Sequence, residues 1–410
     1  MTRYSSAPDA TSTTAGDLRG VSRLAIDGVT GVAELVEAVH AAVLHPPALL
    51  GRRAPVTTRG IPHLVYRGVR GVARMVGGGI DLSLSALSPV LRDRGVSPRR
   101  EAMVAALNGV LGDHLETSGN PLAIRMSFRR DGVPLVLTRR ELHARFPQAS
   151  GRLLVQVHGL CMNDLQWRQD GHDHGEALAR EVGYTPVHLH YNSGRHVSDN
   201  GRDFASLLSS LVKAWPVPVE EITLLCHSMG GLVARSALDA GVRRRMAWAQ
   251  LPLRVVFLGT PHHGAPLERA GSWADLLIGI TPYSAPFVRL GRMRSAGIQD
   301  LRHGNVRDTD WQQAKGDARA DMRRPSPLPT SVRAYAIATT TQDSNESDPA
   351  AMRGDGLVPI ASALGKHSDP AFDLRIPPAR RWVGHGISHL QMLRSEAVYD
   401  RIAAWLLEPV

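Results

Sequence analysis

"LLCHSMGGLVAR", residues 224–235, places one serine between a short apolar run and a pair of glycines. Ile222, Thr223, Leu224 and Leu225 read as an extended segment, and the residues after Gly230-Gly231 read as a helix. Ser228 therefore stands on a strand-to-helix turn. An ordinary serine there does no more than cap the helix. A nucleophile gains much more, because the tight turn lifts its hydroxyl clear of a sheet and aims the next helix's N-terminus at developing negative charge. The usual form of such a turn, G-x-S-x-G, is altered by Cys226 at the first glycine position.

Working outward, short apolar runs alternate with helical stretches from residue 152 onward. "RLLVQVHG", "TPVHLHYN", "EITLLCHS", "LRVVFLGT" and "SVRAYAIAT" are the expected strands. Such alternation means an α/β fold, a mostly parallel sheet with helices on both faces. Before it, "AIRMSFRRDGVPLVLTRR" gives two extended runs about Asp131-Gly132, a hairpin signal. Residues from about 267 to 328 interrupt the alternation. Trp273, Leu276, Leu277 and Ile280 recur there at helical spacing, so a cap helix lining an acyl pocket is expected, with ordinary packing on the sheet as the plainer alternative.

A parallel sheet gathers its functional groups beyond the carboxyl ends of its strands. His158-Gly159 ends one such strand, where the N–H of Leu160 can point inward. With the N–H of Met229 it supplies the two donors an oxyanion hole needs. A serine also needs a base and an orienting carboxylate, here in the order Ser, Asp, His. "GDGLVP" supplies Asp355 in a turn after a late strand, and "HGISHLQML" supplies His389 before the closing helix. His385 is the competing base; the position directly before "LQML" favours His389. "YNSGRHVSDNGR" follows a strand, so Asn192 and Arg195 border the expected site, as substrate contacts or as a surface loop.

These motifs resemble the α/β-hydrolase esterases and lipases, and are similar to bacterial triacylglycerol lipases and GPI inositol-deacylase-like hydrolases. "LGTPHHGAP" at 258–266 adds to the likeness, which covers about 120–410. The resemblance implies an α/β-hydrolase fold with Ser228 as nucleophile, His389 as base, Asp355 as acid, and Leu160 and Met229 as oxyanion donors. It implies a small-molecule or lipid ester substrate and no cofactor. Thioesterase and amidase chemistry use the same parts. A non-catalytic or membrane-associated binding protein on this scaffold is the rival class.

The remaining residues bound the answer. The chain has 410 residues, 43% of them hydrophobic, which allows a large core and more than one domain. Residues 1–17 are Ser/Thr/Ala-rich, lack the apolar core of a signal peptide and read as a disordered lead-in, so a cytoplasmic or membrane-peripheral protein is expected. Residues 18–119 read as an N-terminal helical region. One stripe runs from Val21 to Ala42, a basic amphipathic helix covers about 64–76, and a third helix begins at Ser97-Pro98. Residues 120–410 form the expected catalytic domain.

The net charge is +10, but only Lys213, Lys315 and Lys366 among the 48 basic residues are lysine, a genome-like bias that gives no support to a nucleic-acid partner. Residues 1–150 carry 19 Arg against 12 acidic residues. Contact of these basic helices with a membrane surface is therefore weighed against a solvated face or packing on the core. The oligomeric state has no signal. "HDH" at 172–174 and the pair His262-His263 lack the spacing and support of metal ligands, so no metal is expected. Cys161 and Cys226 are expected as reduced thiols beside the oxyanion turn.

Overall fold

The computed structural model describes residues 98–265, 295–312, 323–343 and 354–408, together with Gly20 and Arg23. Short runs rich in Val, Leu and Ile become strands because both faces of each are covered. The strands are β1 Ser127–Arg130, β2 Val133–Pro134, β3 Arg152–Val157, β4 Thr185–His190, β5 Glu221–His227, β6 Leu253–Leu258, β7 Val332–Thr340 and β8 Arg381–His385. Every residue of β4, β5 and β6 is buried, as a sheet with two covered faces requires.

The eight strands form one sheet in the order β2-β1-β4-β3-β5-β6-β7-β8. β1 runs antiparallel to β2 and to β4, and all pairings from β4 to β8 are parallel. β3 therefore lies between β4 and β5. The chain leaves β3 toward one side of the sheet and leaves β5 toward the other, so a crevice opens beyond their carboxyl ends. The register sets Val157 opposite Cys226, which brings the His158-Gly159 turn beside Ser228.

The helices are α1 Pro98–Thr117, α2 Arg139–Arg145, α3 His174–Val182, α4 Val197–Ala214, α5 Met229–Arg243, α6 Ala296–His303, α7 Asp308–Gln312, α8 Ile360–Ala363 and α9 Glu396–Leu407. α9 is fastened to the sheet by a buried arginine. Arg254 on β6 donates to the carbonyls of Trp405 (3.0 Å) and Glu408 (2.7 Å) and pairs with Glu221 on β5 at 3.2 Å. A buried guanidinium is tolerable only with such partners. Among the described residues no helix is long and apolar enough to cross a membrane.

Three sequence expectations need comment. β8 went unread: "RWVGH" follows the proline-rich "RIPPAR" and lies at the sheet edge with four of its five residues only half-buried, so it lacks the apolar run that marks an inner strand. The chain divides into two compact units, Met1–Gly95 with Leu115–Ala123, and Val96–His114 with Ile124–Val410. Most of the third expected helix, α1, thus belongs with the sheet instead of with the N-terminal region. Within the first unit, Asn120 Nδ2 donates to the Gly20 carbonyl (2.9 Å) and Arg23 to that of Gly119 (3.0 Å). Apart from Arg23, the two helices expected over 21–46 and 64–76 lie outside the described residues, as does the stripe of Trp273, Leu276, Leu277 and Ile280. Of the expected insertion, α6, α7 and residues 323–328 are described.

Candidate active site

β5 carries the chain straight into Ser228, whose backbone takes φ 53° and ψ −127°. A non-glycine residue held there costs about 1–3 kcal/mol. The surroundings fix it in place: its N–H donates to the Leu258 carbonyl (2.9 Å) and its own carbonyl accepts from Gly231 (3.0 Å). Two glycines give the turn its room. A methyl group on Gly230 would come within 2.3 Å of the Val157 carbonyl oxygen, and one on Gly159 within 3.0 Å of Ser228 Cβ. The start of α5 is therefore pressed onto the end of β3. The serine makes no side-chain cap to its helix, which sets it apart from an ordinary N-cap.

Asp355 and His389 meet on the far side of this turn. Asp355 follows β7 in a tight loop, where its Oδ1 accepts the N–H groups of Leu357 (2.9 Å) and Val358 (2.8 Å). Its Oδ2 lies 2.7 Å from His389 Nδ1, and its main-chain carbonyl accepts the His389 N–H at 3.1 Å. Both side chains are buried, 2% and 4% exposed. With Nδ1 bound to the carboxylate, Nε2 is the nitrogen left for a serine hydroxyl. His389 touches the strand that leads into Ser228 through its carbonyl, 3.1 Å from His227 Nε2. A methyl on Gly259 would lie 3.1 Å from both His389 Cε1 and Asp355 Oδ2, so the end of β6 floors the pair. His385 instead ends β8, away from Asp355's hydrogen bonds.

Leu160 and Met229 are both buried. Among the described residues neither backbone N–H donates a hydrogen bond. Asn192 lies in the loop after β4 with its amide engaged inside the protein: Nδ2 donates to the Gly112 carbonyl (2.8 Å) and Oδ1 accepts from Gly194 (3.1 Å). Arg195 is ion-paired with Asp203 at 2.6 Å. In the "HDH" segment, Asp173 caps α3, while His172 and His174 share a 2.7 Å contact and His174 reaches the Met392 carbonyl. Among the described residues no three potential ligands are grouped to hold a metal ion. Sequence reasoning passed over His227, although it stands inside the deciding stretch.

Electrostatics separate the possible nucleophiles. Both cysteines are free and buried. Burial pushes the Cys161 thiol up to about 12 and the Cys226 thiol well above its ordinary value, so both stay protonated and unreactive. Burial, with the neighbouring His389, also drives His227 well below the usual histidine range.

The model of the PGAP1-like alpha/beta domain family matches residues 148–320. No curated protein matches the chain in sequence. Solved structures similar to it include a mature lipase, BlEst2, from Bacillus licheniformis, with 16% identity, TM-score 0.40, and 62% of this chain and 91% of that one covered. An esterase from Pyrococcus furiosus gives 13% identity and TM-score 0.37 over 63% of this chain and 81% of its own. Phospholipase PlaB from Legionella pneumophila gives 16% and 0.32 over 52% and 45%. The strand order and the turn at Ser228 are those of the α/β-hydrolase fold. Residues 148–320 are thus similar to the PGAP1-like alpha/beta domain, and strands β3 to β6 fall inside that match.

Proposed function

We propose that the chain is a serine carboxylic-ester hydrolase. Ser228 is the nucleophile, His389 its base, and Asp355 the carboxylate that orients the base. The observation that carries this reading is the 2.7 Å bond between His389 Nδ1 and Asp355 Oδ2, buried against the turn that bears Ser228. His389 Nε2 takes the hydroxyl proton as Ser228 Oγ attacks the ester carbonyl carbon. The resulting oxyanion faces the N–H groups of Leu160 and Met229, and its collapse breaks the C–O bond to the alcohol, which leaves with the proton from His389. A water, deprotonated by the same histidine, then attacks the acyl-enzyme and releases the acid. The apolar stripe of Trp273, Leu276 and Leu277 is assigned to the acyl side of the substrate.

Ser228→Ala is the test. It should leave a folded protein whose hydrolysis of p-nitrophenyl esters falls about 10³- to 10⁶-fold, since such residues act as a unit. A fluorophosphonate should label the native chain once, at Ser228. Full activity in the pure variant overturns the assignment.

A further inference from the structure

We propose that His227 is a positioning residue: it ties the main chain of His389 to the strand that bears the nucleophile. The inference rests on the serine-hydrolase reading of the site and goes beyond it, because His227 belongs to none of the reacting groups.

His227 ends β5 immediately before Ser228 and is fully buried. Its Nε2 lies 3.1 Å from the carbonyl oxygen of His389, a residue 162 positions away in sequence. A carbonyl oxygen only accepts, so Nε2 carries the hydrogen. Nδ1 is buried without a hydrogen-bond partner and faces the oxyanion turn, 3.3 Å from the position of a methyl on Gly159. A second proton there would be an unpaired buried charge beside the catalytic base. The ring is therefore held as one neutral tautomer with a fixed donor.

The value of that donor follows from how His389 is held. Its N–H and its Nδ1 both bond to Asp355. These two bonds orient the histidine within the Asp355 loop but do not join it to β5. The bond from His227 fixes the pair to β5 itself. The ring centroids of His227 and His389 lie 4.6 Å apart, and Trp167 stands T-shaped to His227 with centroids 6.4 Å apart, so rings on two sides limit the donor's rotation. Displacing a base by about 1 Å costs about 10²-fold in rate, which sets the scale expected for losing this tether.

The test compares His227→Leu with His227→Gln, whose side-chain amide can offer an N–H to the same carbonyl. His227→Leu should lower kcat about 10- to 100-fold with KM within about twofold, and should shift the acid limb of the kcat/KM profile. His227→Gln should recover most of the loss. Nitrogen NMR of the native protein should show His227 as a single Nε2–H tautomer across pH 5–8. Exchange of the His389 amide should quicken in the Leu variant and not in the Gln variant. Native kcat in the Leu variant, equal losses in both, or an Nδ1–H tautomer each overturns the proposal. Should the native chain neither hydrolyse p-nitrophenyl esters nor take a fluorophosphonate at Ser228, the esterase reading fails, and the tautomer and amide exchange still decide the tether.

Discussion

Two groups of buried histidines differ in what surrounds them. In the crevice, His389 has a carboxylate at 2.7 Å and His227 a carbonyl at 3.1 Å. Along β3 and β4, His158, His188 and His190 lie near Asp164 and Asp173, but only at 3.5 Å (His190–Asp164) and 3.6 Å (His188–Asp173). His158 Nε2, both nitrogens of His188 and His190 Nδ1 are buried without hydrogen-bond partners among the described residues. Burial lowers His158 to about 4 and takes His190 well below the usual range. Burial thus keeps His158 and His190 neutral, although His158 Nδ1 lies 2.8 Å from the Gly159 carbonyl. A base requires a carboxylate at bonding distance to receive the charge it takes up.

The sharpest way to break this contrast is Asp355→Asn. The amide keeps an oxygen for the N–H groups of Leu357 and Val358, so the loop should hold. His389 loses its anionic partner and its enforced tautomer. We expect kcat to fall about 10⁴-fold with little change in Tm. Unchanged kcat would make His389 no different from the histidines of β3 and β4.

Acid titration probes the other group. A histidine whose folded pKa lies below its unfolded value stabilises the fold fully above the unfolded pKa, near 6.5. That contribution is lost as pH falls toward the folded pKa, about 4 for His158. His158 alone accounts for about 3 kcal/mol over that window. Thermal melts between pH 7 and 4 should therefore steepen below 6.5, and His158→Phe, which retains the 4.3 Å stack on Tyr191, should flatten the slope. An unaltered slope would show that these histidines do not govern acid stability.

The smallest effect belongs outside both groups. Ser395 caps α9, its side chain accepting from the Val398 N–H. Ser395→Ala should cost about 1 kcal/mol in denaturant melts while leaving both kcat and the acid slope unchanged. A change in kcat would show that the His389 loop depends on α9 more closely than its hydrogen bonds imply.

Much of this molecule was legible beforehand. The five inner strands announce themselves because a strand covered on both faces is largely apolar and carries short runs rich in Val, Leu and Ile. The Asp131-Gly132 turn announces the β1–β2 hairpin, and Asp131 and Gly132 both adopt positive φ there, 52° and 76°. Ser228, Asp355 and His389 stand out through their order along the chain and the turns that carry them. β8 escaped because an edge strand needs no apolar run. Asn192 was read for its polar side chain, yet that amide holds the loop to α1. No local pattern marks such a bond, whose partner lies 80 residues earlier.

The sequence by itself determined which residue types are present, in what order, and on which kinds of element, since hydrophobic period and turn chemistry are local properties of the chain. Only the tertiary structure decided that His389, and not His385, meets Asp355, that α1 packs with the sheet unit, and that His227 reaches the main chain of His389. Each of these joins residues far apart in sequence through one hydrogen bond or packing contact. Their distances are set by strand order and loop path across the whole sheet, which no single stretch of sequence contains.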